Sequence, residues 1–297
     1  MLIVVSAITF GLLSTAGGDA LTVLGDNSQV SQETVDRLRS VYGLDRPIVS
    51  RYISWLGGFI RGDLGESFLY KAPVVSLLVS RFANTAMLAA VGLLIALLIA
   101  MPLAYLIART RSRWLAGIAD LVVSLTASVP RMVAALIALL ILISIPGRAF
   151  AGDRSTAALF LGAFVIALPV IAVLLAQAKG ELARAAELAF VQFARSKGLS
   201  ERAVILRHAF REALNPLITL SGLSVGSMVS GSVVVETILG WPGIGSLLVG
   251  AVKGRDVSLV MGIVVATSIV VWFANTTAEI LQMINDPRMR PTSVPQQ

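Results

Sequence analysis

Five apolar stretches, at about residues 85–108, 115–145, 156–178, 217–239 and 257–284, reach or exceed the roughly 20 residues that an α-helix needs to cross a bilayer. No other feature constrains the chain as much. A backbone in hydrocarbon must satisfy its own N–H and C=O groups, so it spans only as a helix or a closed barrel, and continuous rather than alternating apolar runs select the helix. A sixth stretch, residues 1–16, is short for a crossing and follows no basic residue. A signal-peptide core, an interfacial segment and a truncated span are its three readings; the missing positive n-region disfavours the first. We therefore expect a first helix that begins upstream of Met1 or is unusually short, and an all-α polytopic membrane protein of six transmembrane helices. The composition, 56% hydrophobic and 14% charged over 297 residues, agrees with this class.

The net charge of +7 invites a nucleic-acid reading, but the basic residues cluster between the apolar runs, so we read it as topology and expect no nucleic-acid partner. With six spans and the N-terminus inside, the short cytoplasmic segments carry Arg109, Arg111, Arg113, Arg288 and Arg290. The loop over residues 179–215 adds Lys179, Arg184, Arg195, Lys197, Arg202, Arg207 and Arg211, whereas the short external loops offer Arg148, Arg154, Lys253 and Arg255. This is the positive-inside asymmetry, with both termini cytoplasmic and membrane lipid around the spans. The chain contains no cysteine and a single histidine, His208, which excludes disulfides, thiolate catalysis and Cys or His metal clusters. We expect no metal site.

Three regions follow: residues 1–16 as the first helix, 17–84 as an external helical segment, and 85–297 as a core of helices 2–6 that includes the cytoplasmic loop. In the external segment, Val35, Leu38 and Val41 or Tyr42 recur at helical spacing as far as Gly43. Pro47 then opens a second helix with Ile48, Tyr52, Trp55, Leu56 and Phe59 on one face.

The sequence FARSKGLSERAVILRHAF, residues 193–210, concentrates charge around one glycine. The fourth span is expected to continue as a helix until Gly198 ends it, and Ser200 to cap a second helix. In that second helix Ile205, Ala209 and Ala213 form one apolar line, Leu206, Phe210 and Leu214 the adjacent one, and Pro216 begins span five. A helix, a glycine turn and an amphipathic helix would then lie across the membrane face. By loop composition alone, a basic loop beside anionic lipids is the plainer reading.

The residues FVQFARSKGLSERAVILRHAFREALNPL resemble the coupling (EAA) loop of ABC importer permeases of the dipeptide, oligopeptide and nickel family. Ala194, Arg195, Lys197, Gly198, Leu199, Ser200, Glu201, His208, Ala209 and Arg211 all match. GLDRP (43–47), YISWLGGFIRGDLGESF (52–68), VVVETILGWPGIGSLLVGAVKGRD (233–256) and DPRMR (286–290) extend the resemblance nearly end to end. Departures are Asn84 where proline is usual, Phe193 for threonine, Glu212 for asparagine, and Arg131 after Pro130 where a small polar residue is usual. The resemblance implies the type I ABC importer permease fold, peptide transport across a bacterial inner membrane, and nickel or glutathione as alternative cargo. It implies that Ala194, Arg195, Lys197, Gly198, Leu199, Ser200, Glu201 and Arg202 couple the chain to an ATPase, with Arg195, Lys197, Glu201 and Arg202 supplying charge complementarity. Its implied partners are a second permease, two ATP-binding subunits carrying ATP and Mg, and an external substrate-binding protein.

Residues that stand out inside the spans are Arg131, Glu236, Gly222 and Gly226. Arg131 sits near the middle of span three, where its charge must face protein or water. It either lines the translocation path, attracting a carboxylate, or fastens helices. Glu236, just before GWPGIG, either shapes the outer gate or holds the turn that follows. Gly222, Gly226 and Ser230 have the spacing of close helix packing, or leave room for a solute.

No GxxxxGK[ST] loop is present, so this chain is expected to bind no cofactor and to hydrolyse no ATP. An ion-coupled secondary transporter would bring more intramembrane carboxylates and repeated halves, and an intramembrane protease a nucleophile and base or an aspartate pair. Asp120 stands alone.

Overall fold

Alanine and leucine lose little freedom in a helix, and they dominate the apolar runs. In a computed structural model, which describes residues 2–15, 33, 37, 45–144 and 155–286, those runs wind into long helices. Of the expected helix at residues 35–42 only residue 37 is among the described residues, and the DPRMR tail from residue 287 onward lies outside them, as do Arg148 and Arg154.

Helices α1 (Leu2–Thr15) and α2 (Ile48–Ile60) precede a short antiparallel hairpin of β1 (Glu66–Ser67) and β2 (Ala72–Pro73), in register Glu66 to Pro73 and Ser67 to Ala72. Then come α3 (Val74–Thr110), α4 (Arg113–Ser128), α5 (Arg131–Ile143) and α6 (Thr156–Ala186). Beyond them lie α7 (Ala189–Ser196), α8 (Glu201–Val204), a π turn (Ile205–Ala209), α9 (Phe210–Leu239), α10 (Ile244–Lys253) and α11 (Val257–Asn285). Among the described residues, α3, α6, the continuous Glu201–Leu239 rod and α11 are long and apolar enough to cross a membrane.

The third span differs from the continuous helix expected over 115–145: α4 and α5 meet at 93°. Val129 (φ −78°, ψ 116°) and Pro130 (φ −60°, ψ 134°) are extended there. Proline has no N–H and pushes the preceding residue out of the helical region, which accounts for the break. Pro216 behaves oppositely, since α9 runs straight through it. Helix α3 begins at Val74, so the boundary expected at residue 84/85 falls inside a helix. At 37 residues it is about 55 Å long, well beyond a ~30 Å hydrocarbon layer. Helix α1, with 14 residues, reaches only about 21 Å.

Helix α6 is central. It packs against α3, α4, α5 and α9, and 61% of its most apolar stretch is buried, against 28–33% for the other three spans. Gly92, Ala96, Ala100 and Ala104 recur every fourth residue on α3 and let the two helices approach closely, and a Cβ at Gly92 would lie 2.9 Å from Ile166. Leu98, Phe160 and Trp272 point outward, as lipid-facing positions do.

The aromatic face of α2 stacks on itself and on α1: Tyr52 on Trp55, Trp55 on Phe59, and Tyr52 against Phe10 at 5.5 Å. The Tyr52 hydroxyl donates to the Ile3 carbonyl at 3.1 Å, and Arg51 lies over the Phe10 ring. At the hairpin end a second cluster gathers Val74, Leu78, Ile244, Leu247, Leu259 and Ile263. Asp256, 1% exposed, ties it together. One carboxylate oxygen caps α11 by accepting from the Leu259 N–H at 3.1 Å, and the other accepts from the Ser67 hydroxyl at 2.6 Å and the Leu69 N–H at 3.0 Å. Replacing Asp256 with alanine leaves two buried donors, the Ser67 hydroxyl and the Leu259 N–H, without this acceptor, at about 1–3 kcal/mol each, and frees the half-buried Leu69 N–H as well. Hydrogen exchange at the Leu69 and Leu259 amides of Asp256→Ala should accelerate at least tenfold while α6 amides stay protected; unchanged protection at both would refute this role.

Candidate functional site: the glycine turn and the α9 junctions

The charged loop begins where α6 stops, which is earlier than the sequence pattern suggests. Leu188 is extended (φ −64°, ψ 140°), so the helix breaks there instead of running on to Gly198. The gain is burial: Leu188 packs with Val191, Ala194 and Val204 in a small core of their own. Gly198 then reverses the chain at φ +79°, in the left-handed region that favours glycine, and its N–H donates to the Arg195 carbonyl at 2.9 Å. No atom lies within 4 Å of where its Cβ would be, so backbone conformation alone demands the glycine. Ser200 caps α8, accepting from the Ala203 N–H at 3.4 Å.

The charges expected to face a partner divide into two sets. Arg195 grips Glu201 across the turn, Nε to Oε1 at 2.9 Å and Nη2 to Oε2 at 3.4 Å, and its Nη1 donates to the Ala186 carbonyl at 3.1 Å. This pair braces the turn from within. Lys197 lies over the Phe193 ring at 4.6 Å, and Arg202 is exposed. Leu199 is exposed too, and so are Phe190, Phe193 and Leu206, whose contribution the charge pattern had hidden. The turn therefore offers an apolar knob rimmed by Lys197 and Arg202. Behind it Ile205, Ala209 and Ala213 are buried against the spans, while Leu206 is not. His208 lies in the π turn with its Nδ1 buried.

At the other end of α9, Gly240 turns the chain at φ +68° into GWPGIG. Glu236 is fully buried beneath this turn. It accepts from the Thr85 hydroxyl at 2.7 Å and the Ser246 N–H at 3.0 Å, while the Thr85 oxygen accepts from the Ile244 N–H at 2.9 Å. A Cβ at Gly243 would overlap the Glu236 carboxyl group. Asn84, where the family pattern has proline, donates to the Pro242 carbonyl at 2.7 Å, and its own carbonyl accepts from Trp241 Nε1 at 3.2 Å. These contacts lock α3, α9 and α10 together; Asn84 stands out only as a departure from the family pattern, and Thr85 carries no local pattern that marks it.

The remaining candidates separate along α9. A Cβ at Gly222 would lie 2.6 Å from Ala278, so that glycine serves the α9–α11 contact. Gly226 lines a cleft of about 1210 Å³ among α1, α9, α10 and α11, with Ser230, Asn275 and Glu279 on its walls. Arg131, at the α4–α5 break, packs its guanidinium on Gly231 and donates from Nη1 to the Ser227 carbonyl at 3.2 Å. Asp120 is not alone: it pairs with Lys179 at 2.5 Å.

Residues 100–291 match the family described as the binding-protein-dependent transport system inner membrane component, and residues 1–89 match the corresponding N-terminal family. The chain belongs to this family. The permease is 32% identical to the oligopeptide transport system permease protein AppB of Bacillus subtilis, over 97% of this chain and 95% of that one. It is 33% identical to a putative peptide transport system permease of Brucella abortus, covering 98% and 95%, and 27% identical to the nickel import system permease NikB of Staphylococcus aureus, covering 98% and 88%. Its fold matches the inward-facing MetNI methionine ABC transporter with a TM-score of 0.59, over 71% of this chain and 97% of that one, at 15% identity. An ABC-importer permease architecture thus frames both ends of α9.

Replacing Thr85 with valine keeps the shape but removes a donor to Glu236 and an acceptor for Ile244, at about 2–4 kcal/mol in all. Thr85→Val should melt measurably lower in detergent than wild type, and Thr85→Ser should recover most of the loss; equal melting of all three would refute the junction's weight.

Proposed function

We propose that this permease carries peptides through an ATP-driven importer of the bacterial inner membrane, and that its Gly198 turn docks into an ATP-hydrolysing subunit. One observation carries the reading. A left-handed glycine, braced internally by Arg195–Glu201, presents Leu199, Phe193 and Lys197 on a rigid projection, and it does so at the start of a single helical rod through the protein. An exposed apolar knob with a cationic rim suits a groove on a soluble protein better than a lipid surface, because its internal salt bridge spends the charge that anionic lipid would bind. In this role Ala194 anchors the knob, Ser200 caps the exit helix, and Arg202 meets acidic groups of the partner.

The orientation follows. Arg109, Arg111 and Arg113 share the end of the Gly198 turn, because α3 and α9 meet through Thr85 and Glu236 at the opposite end. That end is cytoplasmic, with both termini, and the hairpin and α10 are external, where a substrate-binding protein delivers cargo. A second permease faces this one, and two ATP-binding subunits supply ATP and Mg. Peptide cargo is favoured over nickel because the relatives named for peptides stand at 30–33% identity and the nickel permease at 27%.

A β-branched residue at φ +79° costs on the order of 1–3 kcal/mol, whereas asparagine visits that region readily. Gly198→Val should insert normally yet lose most co-purifying ATPase and abolish uptake in reconstituted vesicles, with Gly198→Asn retaining both. A Gly198→Val protein that keeps its ATPase and normal uptake would sink the proposal.

A further inference from the structure

We propose that Arg131 forms a carboxylate-binding site on the translocation path, taking the C-terminal carboxylate of the cargo; this rests on the peptide reading above. Three observations converge on it. First, the site is deep: Ser227, to which Arg131 bonds, lies midway along the apolar part of α9, between Leu217 and Leu239, so a full charge is held near mid-membrane. Second, it is built. Gly231 provides the space the guanidinium fills, since a Cβ there would overlap Nη1, and the Ser227 carbonyl fixes its plane through one bond. Among the described residues the rest of the planar fork makes no hydrogen bond, and no carboxylate pairs with Arg131. Third, it opens on a polar surface. Ser227, Ser230 and Thr237 form an exposed hydroxyl-bearing stripe along one side of α9, with Arg131 on one flank and the Gly226 cleft on the other. Hydroxyls and a guanidinium side by side at this depth suit a water-filled passage and not lipid tails.

A guanidinium in this setting recognises a planar anion through paired N–H donors, and a carboxylate matches that fork. A helix fastener would need only the Ser227 bond, which any long donor supplies. The broken span adds to the field, because α5 begins at Arg131 with no side chain capping its first amides.

The test uses the complete importer in vesicles, at saturating loaded binding protein, with one peptide offered as free acid and as C-terminal amide. Wild type is expected to carry the acid faster, and Arg131→Gln to cut the acid-to-amide uptake ratio roughly tenfold, the loss of a charge-assisted hydrogen bond. Arg131→Lys, which keeps the charge and loses the fork, should fall between. Gly231→Ala, which leaves Arg131 present but fills its seat, should lower the ratio as Arg131→Gln does, and this arm decides the matter if Arg131→Gln does not assemble. Proportionally equal losses for acid and amide in these variants, or equal wild-type uptake of both forms, would overturn the site and leave the peptide reading standing. Vesicles in which wild type carries neither form would instead overturn the peptide reading itself.

Discussion

Every backbone N–H and C=O that leaves a helix inside a bilayer must find a partner within the protein, and the junctions at both ends of α10 are organised around that requirement. At the Gly240 turn the partners are Glu236, from the helix that the turn ends, and Thr85 and Asn84, from α3, far away in sequence and in direct contact in space. At the hairpin end a single carboxylate, Asp256, satisfies three donors from two segments. The α4–α5 break lies beside Arg131, whose bond to Ser227 ties it to α9. Glu236, Asn84 and Asp256 each serve backbone groups that the helical ladder leaves unserved.

Much of this was legible in the sequence, because it depends on local pattern. Spans followed from run length, the turn from Gly198 and its Ser200 cap, and the α2 stack from the spacing of Tyr52, Trp55 and Phe59. What escaped was set by distant contacts. Leu188 ends a helix that its neighbours would extend, because Val191 and Val204 bury it. Arg195 and Glu201 read as free charges until the turn folds them together. Pro130 breaks a span while Pro216 does not, a difference that no local signal announces. Asp256 can be read from sequence as the cap of α11, but only the hairpin arriving from residues 66–73 gives its second oxygen partners.

Small residues decide which helices come close. The Gly92 to Ala104 series draws α3 onto α6, Gly222 draws α9 onto α11, and Gly231 makes room for a guanidinium. Trp272 and Phe160, by contrast, face outward, while Trp241 is buried at the Gly240 turn.

Two left-handed glycines, Gly198 and Gly240, bracket one uninterrupted rod of 39 residues, about 58 Å long. Under the docking proposed for the Gly198 turn, such an element would act as a crankshaft. Turning either end rotates the other, and the points of torsional give are the π turn at Ile205–Ala209 and the missing hydrogen bond at Pro216. A push of a few ångströms on the knob by the partner proposed above would then arrive at the Glu236 junction as rotation, and the stripe of Ser227, Ser230 and Thr237 would sweep around with it.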